Sequence, residues 1–279
     1  MPLAPLKDVL ALAHDRRAFA VGLVCLSWED AQAFVAAAEA AETPVILSAG
    51  PGARRHMPVA SWGKMFAHLA ERASVPVVAN LDHGASAQDC QAAREAGFYS
   101  VMYDGSSRPF TENLETTQTI VSMSKNAGAS VEAEIGVVGY DGEGASQSSD
   151  PEEAARMAET GIDALAVSVG NVHLQTHAQA ELDWPRLSAL AQACPLPLVI
   201  HGGSGVRAED RARMAREHRV RKINIGTELR QVYGRALRHR LSEDAALFDR
   251  LAIARAVAPN LIEATAAILR NAWRDQTGA

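Results

Sequence analysis

The sequence predicts an α/β protein, a single (β/α)8 (TIM) barrel over residues 1–279 with an extra C-terminal helix. Three observations predict it. Short apolar, β-branched runs recur eight times, Ala-rich segments with helical spacing separate them, and polar residues gather where the runs end. The runs are Phe19–Leu26, Pro44–Ser48, Pro76–Leu81, Tyr99–Met102, Ser130–Ile135, Ala164–Val169, Leu198–His201 and Lys222–Ile225. Each has the length and composition of a buried strand. The helical segments include Trp28–Ala41, Ser86–Ala96, Pro109–Asn126 and Arg207–Glu217. Ser86, ahead of Ala87-Gln88-Asp89, offers an N-cap hydroxyl. Asp150, ahead of Pro151-Glu152-Glu153, offers a carboxylate with Pro at the first helical position. Gly97 and Gly161 stand where C-caps belong. Strand alternating with helix calls for parallel pairing and closure. An open doubly wound sheet is the competitor; eight near-equal units with polar ends on one rim favour the barrel. Pro259–Arg274 reads as the extra helix, with Pro at its start, and no linker interrupts the pattern.

Composition narrows the function classes. A barrel typically takes about 250 residues, and 279 can bury a core without disulfide staples. Hydrophobic residues make up 48% and charged residues 22%, ordinary for a globular protein. Basic residues number 27 against 33 acidic, for a net charge of −6. The stretch Arg207 to Lys222 is interrupted by Asp and Glu, so it reads as helix surface and not as a nucleic-acid patch. Cys25, Cys90 and Cys194 form no CxxC pair, which suggests neither a disulfide framework nor a zinc knuckle. No charged N-terminal segment leads an apolar run, and no stretch approaches the roughly 20 apolar residues of a membrane span. The expectation is a cytoplasmic enzyme acting on a small molecule, with neither nucleic acid nor membrane as partner.

The chemistry sits at the strand ends. Strand 3 ends Asn80-Leu81-Asp82-His83-Gly84, strand 4 Met102-Tyr103-Asp104-Gly105-Ser106, and strand 5 holds Glu132-Ala133-Glu134. Strand 6 ends Gly170-Asn171-Val172-His173, strand 7 Ile200-His201-Gly202-Gly203-Ser204-Gly205, and strand 8 Asn224-Ile225-Gly226-Thr227. A barrel brings these ends to one face. One such His is commonly a hydrogen-bonded structural residue; His83, His173 and His201 on one rim, with acids between them, point to a metal. Three imidazoles with an open fourth position make a catalytic zinc site. Asp82 then stands beside the metal without needing to bind it, which suits proton transfer; its plain alternative is a loop or helix cap. The small residues at 202–205, and Asn224 and Thr227 before the next helix, would let backbone amides and helix N-termini meet a phosphate. The plain alternative there is tight turns. Their place after strands 7 and 8 carries the inference.

These motifs, in this order and spacing, resemble the class II fructose-bisphosphate and tagatose-bisphosphate aldolases over nearly the whole length. The strongest pieces are 81–84, 104–106, 131–136, 170–173, 201–205 and 224–227. The resemblance implies His83, His173 and His201 as zinc ligands and Asp82 as the acid/base at the C4 oxygen. It makes Asp104 and Glu134 acids lining the metal site, able to hold a second or displaced divalent ion. Gly202, Ser204, Asn224, Gly226 and Thr227 become the phosphate cradle, Gly203 adding a backbone contact and a monovalent cation accompanying it. A homodimer or a dimer of dimers (a homotetramer) is implied too.

The sequence departs from the family in four places. Leu174 and His177 stand where Gly and Lys usually follow the zinc histidine, so His177 is the candidate phosphate contact in place of the lysine. The Gly-Gly-acid-acid loop reads Val137-Val138-Gly139-Tyr140-Asp141-Gly142-Glu143, which makes Glu143, and after it Asp141, the candidate mobile acid. Cys25 replaces a strand 1 Asn, and the distal-phosphate Arg has no secure counterpart, Arg255 being a guess. The expected reaction is reversible cleavage of a ketose phosphate at C3–C4, the aldehyde half not needing a phosphate. No Schiff-base lysine is required, since the closest of the four lysines, Lys222, starts strand 8 at the wrong end of the barrel. The alternatives are a fructose- or tagatose-1,6-bisphosphate aldolase proper, a zinc hydrolase barrel and a catalytically silent sugar-phosphate binder. An HxH cluster would favour the hydrolase, and strand 1 shows none.

Overall fold

A computed structural model describes residues 3–125, 127–140 and 146–274. In chain order the elements are α1 (Leu6–Asp15), β1 (Ala20–Val24), α2 (Trp28–Ala41), β2 (Val45–Ala49), α3 (Pro51–His56) and α4 (Val59–Arg72). Then follow β3 (Val77–Gly84), α5 (Ala87–Glu95), β4 (Ser100–Tyr103), α6 (Phe110–Lys125), β5 (Ser130–Ile135), α7 (Pro151–Ala158) and β6 (Ala164–Val167). The last are α8 (Trp184–Ala193), β7 (Leu198–Ile200), a 3-10 turn (Gly203–Gly205), α9 (Ala208–Glu217), β8 (Val220–Ile225), α10 (Thr227–Glu243) and α11 (Arg250–Trp273). The eight strands close into one barrel in sequence order, β8 pairing back on β1 in parallel. This is the (β/α)8 architecture the alternation predicts.

The local signals act as anticipated. Ser86 accepts from the Asp89 amide, and Asp150 from the amides of Glu152 and Glu153. Gly97 and Gly161 adopt φ of 92° and 88°, the left-handed region that costs glycine nothing. Two readings need correction. Pro259 lies inside α11 and does not start it; the helix begins at Arg250, where Asp249 caps the amides of Leu251 and Ala252. Proline lacks a donor and costs the helix one hydrogen bond, which a helix of 24 residues absorbs. α11 is also long and apolar enough, by length and composition, to cross a membrane, its best window having a mean hydropathy of 1.3. Here it packs on α2 and α10 and buries Val257, Leu261, Ala266, Leu269 and Ala272. Of its most apolar window, 22% is buried within this chain.

α1 has no counterpart in the sequence reading. It buries Leu6, Val9, Leu10 and Ala13, one helical stripe. Leu6, Val9 and Leu10 join Ala20, Ile46, Val78, Met102, Ala164, Ala166 and Val199 in the barrel interior. The helix thus plugs the N-terminal end. Above this layer the interior turns polar: Asn80 donates to Ser48 Oγ at 3.2 Å and accepts from Ser100 Oγ at 2.7 Å. Alternation along each strand then carries the next inward residues to the opposite mouth.

Candidate active site

Strand alternation alone explains most of the site. Asn80 and Asp82 on β3, Glu132 and Glu134 on β5, and Lys222 and Asn224 on β8 are pairs two residues apart, so each pair shares a face. All six are buried. His83 breaks the rule, since it should point away from Asp82. Its φ is 51°, a left-handed turn at the strand end that swings the imidazole to the mouth beside Asp82. Gly22 opposite makes room: a Cβ there would stand 2.1 Å from Asn224 Oδ1.

The three predicted histidines meet. Ring centroids lie 4.7 Å apart for His83 and His201, 5.1 Å for His83 and His173, and 5.8 Å for His173 and His201. One ring nitrogen from each falls within 4.8 Å of the others. Neighbours fix which nitrogens face inward. His83 Nδ1 donates to Asp104 Oδ2 at 2.7 Å, and His201 Nε2 donates to Glu132 Oε1 at 3.1 Å. That leaves His83 Nε2 and His201 Nδ1 facing each other at 2.9 Å. A proton on His83 makes this a hydrogen bond; once that proton leaves, both lone pairs face one point that a cation can fill. Glu134 Oε2, buried and without a hydrogen-bond partner among the described residues, stands 3.9 Å from His83 Nδ1. His83, Asp104 and Glu134 form a second group able to hold an ion. The donor set therefore fits a divalent transition metal.

The electrostatics agree. Burial pushes Glu134 up, and the Asp104 charge pushes it further, to about 8. Burial lowers His83, but Asp82, the Asp104 hydrogen bond and Glu134 outweigh it and raise the imidazole to about 10. Burial also lowers His173, and the other two imidazoles take it to about 3. Burial opposes ionisation of Asp82, yet His83, His201 and Lys222 hold its carboxyl below the usual range. Four acids, Asp82, Asp104, Glu132 and Glu134, thus surround the histidines, with Lys222 as the buried cation among them.

Lys222 requires a correction. It is the third residue of β8, and its side chain runs up the interior, fully buried, to donate to Glu132 Oε2 at 2.6 Å. It stands one side chain below His201, not at the far end of the barrel. Glu132 spans the two, so the lysine sets the charge that orients the histidine. Glu132 was readable as the partner of Glu134 in a strand otherwise apolar; its bond to Lys222 joins residues 90 apart.

A cavity of about 300 Å³ opens over the histidines, with Asp82, Gly202, Ser204, Asn224, Gly226 and Thr227 on its wall. Asn224 Nδ2 donates to Asp82 Oδ1 at 3.1 Å. Ser204 Oγ accepts from the amides of Gly226 and Glu228 at the start of α10, which leaves its hydroxyl proton free for a ligand. Gly203 is buried behind the wall, where a Cβ would meet Ile223 at 2.3 Å. Other expected residues lie elsewhere. His177 is exposed, its ring on Thr176 Oγ1, and is not on the wall. Cys25 is buried with Sγ turned to the Leu23 carbonyl, so Val24 and Leu26 line the cavity instead. Arg255 lines a separate groove between α2 and α11. Asp141 and Glu143 fall outside the described residues. Arg55, Arg230 and Tyr140 were not anticipated. All three line the cavity, Tyr140 with its ring 5.0 Å from that of His173. Arg55 and Arg230 sit on helices, with no spacing signal tying them to the rim.

The Lys222–Glu132 pair yields a stability prediction. Lys222→Met leaves Glu132 buried without its cation, and breaking such a pair costs about 3–5 kcal/mol. The double variant Lys222→Met/Glu132→Gln, which keeps an acceptor for His201 without the charge, should be the more stable of the two in urea unfolding. A double variant as unstable as the sum of the single changes would show that the pair is not coupled.

The comparisons with known proteins follow the same outline. The profile of the family described as fructose-bisphosphate aldolase class-II matches residues 4–276. A fructose-bisphosphate aldolase of Geobacillus stearothermophilus is 38% identical over 261 residues, covering 89% of each chain. That of Staphylococcus epidermidis is 36% identical over 258 residues, covering 89% of this chain and 90% of its own. The crystal structure of the YdjI aldolase from Escherichia coli K12 superimposes with a TM-score of 0.87 at 29% identity, covering 98% of each chain. Matched along nearly all its residues and closed into the same barrel, the chain belongs to the class II fructose-bisphosphate aldolase family.

Proposed function

We propose that the protein is a zinc-dependent aldolase that reversibly cleaves a ketose phosphate between C3 and C4 into dihydroxyacetone phosphate and an aldehyde. The observation that carries this reading is the buried Asp82 carboxylate on the wall of a cavity shared with three convergent imidazoles. His83, His173 and His201 would hold zinc, whose Lewis acidity supplies polarisation of the ketose carbonyl. Asp82 takes the C4-hydroxyl proton as the bond breaks; the cations around it keep it ionised, and the Asn224 amide aims its Oδ1. Ser204 donates its free hydroxyl proton to the phosphate, and Gly202, Gly203, Asn224, Gly226 and Thr227 shape the cradle around it. Asp104 and Glu134 flank His83 as the place for a second or displaced ion. Glu143, or Asp141 in its stead, returns a proton to the donor carbon. His177 tunes phosphate binding from outside the cavity wall, and a monovalent cation sits by the cradle. We assign the chain as a cytoplasmic homodimer or homotetramer.

Two substrate classes compete. Leu174 and His177 in place of Gly and Lys favour a ketose 1-phosphate with an unphosphorylated tail. Arg55 and Arg230 on the cavity wall favour the 1,6-bisphosphates of fructose or tagatose, since either could meet a second phosphate. A panel of ketose phosphates compared by kcat/KM decides. The expected order places a 1-phosphate first and fructose 1,6-bisphosphate low; the reverse order assigns the arginines to a second phosphate.

Metal removal should abolish turnover and leave the far-ultraviolet circular dichroism of the barrel in place. Zinc added back at pH 7 should release protons. His83, at about 10, and Glu134, at about 8, are both protonated there and must shed protons beside the ion. Affinity therefore rises with pH through neutrality. Indicator-dye titration in weak buffer measures the release; full turnover in metal-free protein would sink the mechanism.

Asp82→Asn should retain zinc and lose about 10²–10⁴-fold in kcat, the usual worth of a positioned acid–base group. Metal analysis of the purified variant is the control. Loss of zinc would make Asp82 a ligand instead of a base.

A further inference from the structure

Arg54 lies on α3, next to a cavity-lining residue but not itself on the wall. Its guanidinium reaches across the C-terminal ends of two strands. Nη1 donates to the carbonyl of Ala49, which ends β2, at 2.5 Å, and to the carbonyl of Asp82 at 2.6 Å. Nη2 donates to the carbonyl of His83 at 2.8 Å. These are the backbone oxygens of the proposed base and of a proposed metal ligand. They are also the two carbonyls that flank the left-handed turn at His83. A residue other than glycine at positive φ is strained there and persists only where the surroundings hold it. β3 also shifts register against β4 between Leu81 and Gly84, an irregularity in the ladder that spans both Asp82 and His83.

We propose that Arg54 is a positioning residue, which holds the end of β3 in the turn that presents Asp82 and His83 to the same cavity. The planar fork suits the task. Two nitrogens on one rigid plane span three carbonyls from two strands, which a flexible ammonium on a shorter reach does not reproduce. Each bond is charge-assisted and so stronger than a neutral one. Arg54 is not on the cavity wall and bonds Asp82 and His83 at their carbonyls, so it acts through the backbone. Without the clamp, β3 relaxes toward ordinary alternation. His83 then turns from His201 and His173, while Asp82 keeps its inward direction.

The inference rests on the reading of His83 as a metal ligand, and the test separates the two. Cobalt(II) serves as a spectroscopic substitute, with affinity measured by chelator competition and geometry by the visible absorption band. The wild-type protein should bind one cobalt with the intense band of a four-coordinate site. Arg54→Met should bind about 10–100-fold more weakly, the usual cost of losing a residue that orients a ligand, with a shifted band. Its kcat should fall by a similar factor, while KM for the ketose phosphate changes less, because the cradle stands on β7 and β8. Arg54→Lys, which keeps the charge and loses the fork, should fall between the two. It carries the test should the Met variant not fold.

No cobalt on the wild-type protein would overturn the metal reading and the inference with it. Tight wild-type binding with the same affinity and band in Arg54→Met, or in Arg54→Lys where only that variant folds, would overturn the clamp alone. A lower melting temperature with an unchanged cobalt band would do the same, assigning Arg54 to the fold and not to the site.

Discussion

Inside a closed parallel barrel, every inward side chain shares one narrow, water-poor axis. A charge placed there must be matched within reach or it costs several kcal/mol. The Lys222–Glu132 pair is where this chain meets that constraint, both side chains being fully buried. Its consequences climb the barrel. Glu132, held by the lysine, accepts a hydrogen bond from His201 Nε2 and so turns Nδ1 toward the mouth. The same ammonium helps hold Asp82 ionised. Gly22 is small because Asn224, one step above the lysine on the same strand, fills the space its Cβ would need. Tautomer and charge at the rim thus trace to one buried ion pair directly below it.

The plan of the barrel was legible in the sequence because its rules are local. Ser86 and Asp150 announce their helices, and the apolar runs announce their strands with ends displaced by only a few residues. The rim was legible for the same reason, as each polar motif directly follows its strand. What stayed hidden depends on closure. Nothing near Lys222 in sequence says that Glu132, 90 residues earlier, will meet it. Arg55 and Arg230 reach the cavity from helices, whose outward helical faces look like any solvated surface. Arg255, a guess for the distal-phosphate arginine, turns to another groove. α1 was a different omission: its stripe of Leu6, Val9, Leu10 and Ala13 is plainly helical, but its purpose shows only once there is a barrel end to fill.

The departures from the family acquire physical form as well. Leu174 sits at φ 59° on the cavity wall, a conformation that a glycine adopts freely and leucine does not. The exchange places an apolar side chain at the rim at some cost in backbone strain. Cys25 does not take over the polar role of the asparagine usual in strand 1, because its sulfur faces the Leu23 carbonyl and not the cavity. Val24 and Leu26 leave that side of the mouth apolar. The wall is thus greasier near β1 and near Leu174, and cationic at Arg55 and Arg230.

The plug formed by α1 reaches beyond packing. With Leu6, Val9 and Leu10 wedged between the strands, the barrel is a blind well and not a tunnel. Whatever enters over the histidines must leave by the same opening. Both fragments of a cleaved molecule therefore share one exit, the mouth walled by Arg55, Arg230, Tyr140 and Leu174.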